Sequence, residues 1–363
     1  MRGASVLLPV WFGVFFVTHG QVLRTPTSYD YLPGYGYALL GDISINTQKM
    51  HALIDTGSSA TFFLWSTWFD STYDQGYCSN PSIGSYRCDL CRPSDTSTIT
   101  YTDGTKVDVF RSRGWATIGG TGGIRIHYGL VHGHEAPDNS LPFHSIGLGP
   151  EDTPGYPPFM SQLQGTVAST TFALYLRKHR CGAVTGELLL GGGDPSLHVG
   201  PLRFTPLRGR PGDRGYRVTV GMVRLGQRTS SFGDESGIID TRAEYIFAPS
   251  FYFRKLVPQI FAEASASAGV AVNYQWVPGL ELFVFDCAFM RFIPPIKMCL
   301  GEADDDQGVP IYVTNYARNS AGTCSLAFKL DPNETWRLPA FVLVGTYFEF
   351  RPSEGKLGVA RLA

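Results

Sequence analysis

Two short apolar segments of this chain each end in an aspartate that is followed by threonine. Ala52-Leu53-Ile54 precedes Asp55-Thr56-Gly57-Ser58-Ser59, and Gly237-Ile238-Ile239 precedes Asp240-Thr241 about half a chain later. The apolar residues predict a buried strand that delivers each carboxylate to a place with little water. The glycine in the first segment permits a tight turn, and the hydroxyl groups around it can hydrogen-bond the carboxylate. Each segment is therefore a candidate for acid–base chemistry.

Two predicted hairpins lie near the first aspartate. Apolar and polar residues alternate from Tyr37 to Asn46, and the strand that returns over Lys49–Asp55 carries the carboxylate at its end. Further along, strands over Ser97–Tyr101 and Lys106–Phe110 are joined by Thr102-Asp103-Gly104-Thr105, in which Asp-Gly is a strong turn signal. This second hairpin could project over a cleft, or it could be an ordinary surface hairpin.

Short strands dominate the rest of the predicted structure. A helix is expected from Pro249 to Gly269, because apolar residues recur there at helical spacing, and Pro258 should kink or split it. Leu343-Val344-Gly345 echoes Ser145-Ile146-Gly147 of the first half, which suggests a second repeated element. Other strands are expected over residues 114–118, 124–131, 171–177, 186–191 and 216–225, with a short helix over 159–163.

Composition narrows the classes of function. The chain has 363 residues, of which only 17% are charged, with 42 glycines, 24 prolines and a net charge of -1. Such a profile favours many strands and turns over long surface helices. Because the net charge is close to zero and no basic run with interleaved aromatic residues occurs, neither nucleic acid nor an acidic membrane is expected as a partner.

The N-terminus has the features of a secretory signal. Arg2 precedes an apolar core over Val6–Val17, and Thr18-His19-Gly20 provides small residues for cleavage before Gln21. The apolar run is shorter than the roughly 20 residues that a membrane span needs. We therefore expect a mature chain without a membrane span that follows the secretory pathway, either to the outside or to an acidic vacuolar or lysosomal lumen.

The chain has seven cysteines, which suit an oxidising compartment: Cys78, Cys88, Cys91, Cys181, Cys287, Cys299 and Cys324. Because their number is odd, at least one is unpaired within the chain. Cys88 and Cys91 have zinc or redox spacing, but no second cysteine pair or histidine cluster accompanies them. A local disulfide with Cys78 is the better interpretation. Asn333-Glu334-Thr335 is the one glycosylation sequon.

Taken together, the motifs resemble those of the pepsin-like aspartic proteases over nearly the whole mature chain. The resemblance implies an all-β fold with short helices, built as two lobes with the active cleft between them. It implies no cofactor and no metal, a polypeptide in the cleft, and a monomer. The matching motifs are Asp55-Thr56-Gly57-Ser58-Ser59, Tyr101-Thr102-Asp103-Gly104, Ser145-Ile146-Gly147-Leu148-Gly149, Gly186-Glu187-Leu188-Leu189-Leu190-Gly191-Gly192, Ile238-Ile239-Asp240-Thr241 and Leu343-Val344-Gly345.

The resemblance also assigns roles and boundaries. Asp55 and Asp240 would be a catalytic pair that shares one proton, because two close carboxylates cannot both ionise. Thr56 and Thr241 would tie the two loops together, with Gly57 in the turn and Ser58 bonded to Asp55. Tyr101, Thr102, Asp103 and Gly104, here called the flap, would close over the substrate, and Cys287 would pair with Cys324. The expected segments are a signal peptide at 1–20, a short N-terminal segment at 21–34, an N-terminal lobe at 35–200 with Asp55 and the flap, and a C-terminal lobe at 201–363 with Asp240.

The second loop departs from the family pattern. Arg242 stands where the family has glycine, and Ala243 replaces a hydroxyl residue. A guanidinium beside the pair would lower the pKa of both carboxylates, unless Arg242 turns away. Phe62 stands where the family usually has tryptophan. Two hypotheses remain: an endopeptidase that works at acidic pH, or a catalytically silent protein that binds or inhibits through the same cleft.

Overall fold

The computed structural model describes residues 20–73, 84–150, 156–209, 215–226, 228–230, 235–301, 309–320 and 322–363. The expected signal peptide therefore lies almost wholly outside the described residues. Among the residues that are described, no helix has the length and hydropathy that a membrane span needs.

Strands account for most of the described chain. The first half contains β1 Leu23–Leu32, β2 Gly36–Ile45, β3 Gln48–Asp55, β4 Phe62–Leu64, β5 Thr96–Thr100, β6 Lys106–Ile118, β7 Thr121–Glu135, β8 Ser145–Gly147, β9 Phe172–Lys178 and β10 Val184–Leu190. The second half contains β11 His198–Pro206, β12 Tyr216–Leu225, β13 Arg228–Ser230, β14 Glu235–Ile239, β15 Ile246–Ala248, β16 Tyr274–Val277, β17 Leu282–Phe285, β18 Ile296–Leu300, β19 Val309–Val313, β20 Ala317–Ser320, β21 Thr323–Leu326, β22 Phe328–Leu330, β23 Trp336–Leu338, β24 Thr346–Arg351 and β25 Lys356–Leu362. The α-helices are α1 Ser66–Thr72, α2 Phe159–Gln162 and α3 Ser250–Ala268.

The described strands form one large sheet and two smaller ones. The large sheet runs β11-β25-β24-β9-β10-β1-β2-β3-β8-β4-β7-β6-β5. The second runs β19-β18-β12-β14-β23-β15-β22 with β13 beside β12, and the third is β16-β17-β21-β20. The expected boundary at residue 200 falls inside β11, which pairs with the C-terminal strand β25. The expected N-terminal segment at 21–34 contains β1, which pairs with β2 and β10.

The two halves repeat one arrangement around the two aspartates. Strand β3 ends at Asp55 and lies parallel to β8, with Asp55 opposite Gly147. Strand β14 ends just before Asp240 and lies parallel to β23, with Ile239 opposite Leu338. The second repeated element is therefore β23, and the prediction that placed it at residues 343–345 is wrong.

Most of the predicted elements near the aspartates are confirmed. Strands β5 and β6 form the antiparallel hairpin that Asp-Gly indicated, and the strand expected at 114–118 is the end of β6. Helix α3 ends before Gly269, whose φ of 71° is a left-handed C-cap. The split that Pro258 could have caused does not occur, since α3 runs through this residue as one element. The buried face of α3 explains this, because packing of Leu256, Ile260 and Phe261 outweighs one missing hydrogen bond.

Two disulfides are present among the described residues. One joins Cys287 to Cys324, with the Cα atoms 5.1 Å apart. The other joins Cys88 to Cys91, with the Cα atoms 5.4 Å apart. The prediction that this segment pairs with Cys78 is therefore wrong, since both of its sulfurs are already bonded to each other; Cys78 itself lies outside the described residues.

Candidate active site

The two aspartates lie at the ends of equivalent strands and are held by backbone N–H groups. Oδ1 of Asp55 accepts a hydrogen bond from the N–H of Gly57 at 2.8 Å. Oδ1 of Asp240 accepts from the N–H groups of Arg242 and Ala243, both at 3.2 Å. The loss of glycine and of a hydroxyl in the second loop has therefore not removed the backbone support of its carboxylate.

Thr56 and Thr241 tie the two loops together through buried, reciprocal hydrogen bonds. The N–H of Thr56 donates to Oγ1 of Thr241 at 3.0 Å, and the N–H of Thr241 donates to Oγ1 of Thr56 at 3.1 Å. Each hydroxyl then donates across to the other loop's strand, Thr56 to the carbonyl of Ile239 at 2.7 Å and Thr241 to the carbonyl of Ile54. This symmetric network fixes the two carboxylates relative to each other.

The loops are so close that a side chain at Gly57 would not fit. A methyl group built there would lie 2.7 Å from Cγ of Asp240, inside any normal carbon–carbon contact. Glycine at this position thus brings the first loop against the second carboxylate. Ser58, expected to bond Asp55, has its hydroxyl oxygen 3.0 Å from the N–H of Ala60, which donates to it.

The flap is the tip of the β5–β6 hairpin. The N–H of Tyr101 donates to the carbonyl of Thr105 at 2.8 Å, and Oδ1 of Asp103 accepts from the N–H of Thr105 at 2.9 Å. Gly104 has a φ of +88°, which side-chain-bearing residues rarely adopt. The ring of Tyr101 packs on a buried apolar cluster that includes Phe62. Phe62 has no N–H group that could donate to the Tyr101 hydroxyl.

Arg242 projects from the second loop towards the flap. Its guanidinium carbon lies 3.9 Å from the centre of the Tyr101 ring, and Nη1 lies 3.4 Å from Oδ2 of Asp103. The sequence left open whether this side chain faces the catalytic pair or turns away. It spans the cleft and contacts the flap, while its backbone N–H bonds Asp240.

Arg337 is a second arginine under the flap, and the sequence did not indicate it. It lies on β23, where Nε donates to Oδ2 of the fully buried Asp331 at 2.8 Å. Its Nη1 donates to Oγ1 of Thr102 at 2.8 Å, and its guanidinium carbon lies 4.9 Å from the centre of the Phe247 ring. A charged residue in an otherwise apolar three-residue strand was the available signal, and the misplaced repeat concealed it.

Burial and the two arginines act on the pKa of Asp240 in opposite directions. Burial raises the pKa of this carboxyl, while Arg242 and Arg337 lower it, and the net direction is upward. Arg242 therefore lowers the pKa of Asp240 as expected, but burial has the larger effect. Burial likewise raises the pKa of the Tyr101 hydroxyl, so the flap tyrosine stays neutral. The site can thus keep a proton on one carboxyl.

These groups surround one cavity of about 440 Å³ between the two halves of the chain. Its lining includes both aspartates, the flap and three cationic residues: Arg242, Lys329 and Arg337. Within the described residues, no group of three or more His, Cys, Asp or Glu side chains is arranged to hold a metal ion. The two aspartate carboxyls that line this cavity can exchange protons with water or with a bound ligand.

A two-lobed β fold with an aspartate loop from each half meeting in one cleft defines the aspartic protease class. The family of eukaryotic aspartyl proteases matches residues 37–362, and this chain belongs to it. Napsin-A of Mus musculus is 29% identical over 312 residues, which cover 80% of this chain and 67% of that protein. Pepsin B of Canis lupus familiaris is 23% identical over 357 residues, covering 91% and 82%, and renin of the same species is 26% identical over 344 residues, covering 88% and 78%.

Proposed function

We propose that this protein is an aspartic endopeptidase that hydrolyses peptide bonds of polypeptides bound in its interlobe cleft at acidic pH. The observation that carries the proposal is the reciprocal Thr56–Thr241 network, which holds both aspartate loops in matching positions. Both Asp55 and Asp240 keep a backbone N–H donor, although the second loop has lost its glycine.

The proposed reaction uses one ionised and one protonated carboxyl. The ionised carboxylate takes a proton from a bound water molecule, which attacks the peptide carbonyl carbon. The protonated carboxyl donates its proton to the carbonyl oxygen, so the charge of the pair is unchanged as the tetrahedral intermediate forms. Because burial raises the pKa of Asp240, we assign it as the acid and Asp55 as the base. The flap, with Tyr101 at its tip, would cover the bound peptide and exclude water.

The remaining expectations from the sequence form part of the same proposal. Residues 1–20 would direct the chain into the secretory pathway, where an acidic lumen or extracellular space suits a carboxyl pair with one proton. The lobes at 35–200 and 201–363 would each supply one aspartate, and the protein would act as a monomer without a cofactor.

A second candidate function is a catalytically silent protein that binds peptides or inhibits through this cleft. Arg242 favours it, because its side chain crosses from the second aspartate loop to Tyr101 and Asp103 of the flap. The arginine thus fills part of the cleft between Asp240 and the flap, which favours a peptide that binds without its scissile bond reaching both carboxyls.

Peptide cleavage at acidic pH separates the two functions. The full chain, secreted from a eukaryotic host, is assayed on a library of quenched fluorescent peptides with and without pepstatin. Asp55→Asn and Arg242→Gly are assayed in parallel, and Asp30→Asn, an exposed aspartate outside the cleft, is the matched control.

The endopeptidase predicts pepstatin-sensitive cleavage that Asp55→Asn abolishes and Asp30→Asn retains. The silent protein predicts no cleavage by the wild type at any pH. Activity that appears only in Arg242→Gly would refute the endopeptidase and assign the block to the arginine.

A further inference from the structure

Three cationic side chains line the described part of the cleft, and they differ in how well their charge is matched. Arg337 is bonded to Asp331, whose side chain has no exposed surface, and also to the flap through Thr102. Lys329 lies 3.6 Å from Glu281 and stacks on the ring of Tyr245 at 4.6 Å. Arg337 therefore keeps its partner, and Lys329, whose partner Glu281 is exposed, carries a compact ammonium that lacks the planar fork needed to match both oxygens of a carboxylate.

Arg242 carries such a fork, and its partner is more weakly bound and more exposed than that of Arg337. Its side chain is 18% exposed, whereas that of Asp103 is 49% exposed, and the two are joined by one contact of 3.4 Å through Nη1. Such a length is at the outer limit of a hydrogen bond between charged groups, which is normally below 3 Å. The pair therefore leaves most of the hydrogen-bonding capacity of the guanidinium unused.

Asp103 does not depend on Arg242 for its position. Its Oδ1 accepts from the N–H of Thr105 inside the flap turn at 2.9 Å, which fixes the side chain from the hairpin itself. The flap can thus keep its conformation while Oδ2 of Asp103 gives up the arginine. An incoming anion would displace one solvent-exposed contact.

The shape of the guanidinium suits a carboxylate. The guanidinium lies over the Tyr101 ring, with its carbon 3.9 Å from the ring centre, and all five of its N–H groups lie at the edges of its plane. The planar fork of an arginine matches the two oxygens of a carboxylate and binds both at once. A carboxylate entering the cavity would gain a paired contact in place of the single long one to Asp103.

We propose that Arg242 determines specificity, binding the carboxylate of an acidic side chain in the bound peptide, with Asp103 of the flap as its exchangeable partner in the empty cleft. This inference rests on the proposed function only in requiring that a peptide occupies the cleft. An Asp or Glu side chain of the peptide takes the position of Asp103, and the flap remains stacked on the arginine through Tyr101.

The test is equilibrium binding of peptides that cannot be cleaved. Matched pairs carry a reduced peptide bond and differ only by Asp or Asn at one position flanking that bond. Their dissociation constants are measured by fluorescence anisotropy at about pH 5.5, where an aspartate side chain is ionised. The proteins are the wild type, Arg242→Met, Asp103→Asn and the control Arg125→Met, which removes an exposed arginine on β7 outside the cleft.

We expect the wild type to bind the Asp peptide about tenfold more tightly than the Asn peptide at one position. Arg242→Met should reduce this ratio to about 1, and Arg125→Met should leave it unchanged. Asp103→Asn should strengthen binding of the Asp peptide and not of the Asn peptide, because a competitor for Arg242 is lost. A purely structural role of Arg242 would instead weaken both peptides equally in Arg242→Met.

Equal binding of both peptides by the wild type, or an unchanged ratio in Arg242→Met, would overturn the proposal. Should Arg242→Met fail to fold, an Asp103→Asn protein that binds the two peptides as the wild type does would overturn it as well. Preference for Asp without any cleavage of ordinary peptides would support the inference and refute the endopeptidase. Cleavage of ordinary peptides without a preference for Asp would support the endopeptidase and overturn the inference about Arg242.

Discussion

Arg242 changes the electrostatics of the second aspartate loop and leaves its backbone hydrogen bonds in place. The N–H of Arg242 donates to Asp240 at 3.2 Å, in the same manner as that of Gly57 to Asp55. The guanidinium acts on the pKa of Asp240 from a distance and lowers it against the stronger effect of burial. The substitution therefore shifts the range of pH in which one carboxyl holds a proton.

Replacing Arg242 with methionine should move the pH–activity profile upward. Without the guanidinium, the pKa of Asp240 rises further, so the proton needed by the general acid is retained to higher pH. The basic limb of the profile of kcat/KM against pH reports this loss of the proton from the free enzyme. We expect that limb to lie at higher pH in Arg242→Met than in the wild type, and Arg125→Met to leave it in place. A limb that is unchanged or lies at lower pH would contradict this account.

The flap hairpin is held by the C-terminal half of the chain at three successive residues. Tyr101 and Asp103 contact Arg242, and Thr102 accepts a hydrogen bond from Arg337 at 2.8 Å. Arg337 is itself fixed by the buried Asp331. The hydrogen bond between Thr102 and Arg337, here called the tether, thus connects the two halves above the cleft, as the threonine network does beneath it.

Two substitutions should separate the tether from the ion pair that anchors it. Thr102→Val removes only the flap end, so we expect faster hydrogen exchange of the flap amides and a loss of about 1 kcal/mol of unfolding free energy. Arg337→Met leaves Asp331 buried without its cation and should cost about 3–5 kcal/mol. Hydrogen exchange by mass spectrometry and guanidinium unfolding measure both effects. Unchanged flap exchange in Thr102→Val would show that the hydrogen bond does not hold the flap.

Strand β8 depends on a glycine where it passes the first aspartate loop. A methyl group built on Gly147 would lie 2.3 Å from the carbonyl carbon of Ser59 and 2.4 Å from the backbone nitrogen of Ala60. Backbone atoms cannot move aside as a flexible side chain can. We expect Gly147→Ala to reduce the unfolding free energy by about 3 kcal/mol or more.

The matched control for this prediction is Gly279→Ala. Gly279 has no atom within 4 Å of a built methyl group and no positive φ, so its substitution should change stability by about 0.5 kcal/mol or less. Guanidinium unfolding of both variants gives the comparison. Equal stabilities of the two variants would show that β8 can shift away from the aspartate loop.

Local patterns predicted the elements whose signals lie within a few residues. The apolar run into Asp55, the Asp103-Gly104 turn and the helical periodicity of α3 were each sufficient to place an element. Strand β23 was missed because it is three residues long and its pairing with β14 is non-local. Arg337 was missed with it, since a side chain that reaches from β23 to the flap has no signature in sequence spacing.

At the scale of the whole molecule, strands from the C-terminal end of the chain extend the sheet of the first half. The C-terminal strands β24 and β25 continue the sheet of the first half through β9, and β11 pairs with β25 at its edge. Near the cleft, Arg318 bonds Glu244 at 2.9 Å and the hydroxyl of Tyr29 at 2.8 Å. These contacts hold the two aspartate loops in one frame, so the titration of a carboxyl in the cleft is linked to folding of the whole chain.

That linkage predicts that the contribution of Asp240 to folding stability decreases as pH rises. Its pKa is raised on folding by burial, above the value of about 3.9 of an unfolded aspartate. The folded state therefore binds the proton more tightly, and this contribution to stability is complete below about pH 3.9 and is lost as pH rises through the folded pKa. Asp240→Asn has no such proton, so its unfolding free energy relative to the wild type should increase as pH rises from about 3.9 through the folded pKa.

Guanidinium unfolding across this range measures that difference, and Asp30→Asn, at an exposed position, is the control for loss of an aspartate. The sign follows from burial of the carboxyl outweighing the combined effect of Arg242 and Arg337. If the arginines outweighed burial instead, the ionised form would be favoured in the folded state, and the difference between Asp240→Asn and the wild type would decrease with rising pH. A decreasing or constant difference would therefore refute a raised pKa for Asp240, and with it the assignment of Asp240 as the acid of the pair.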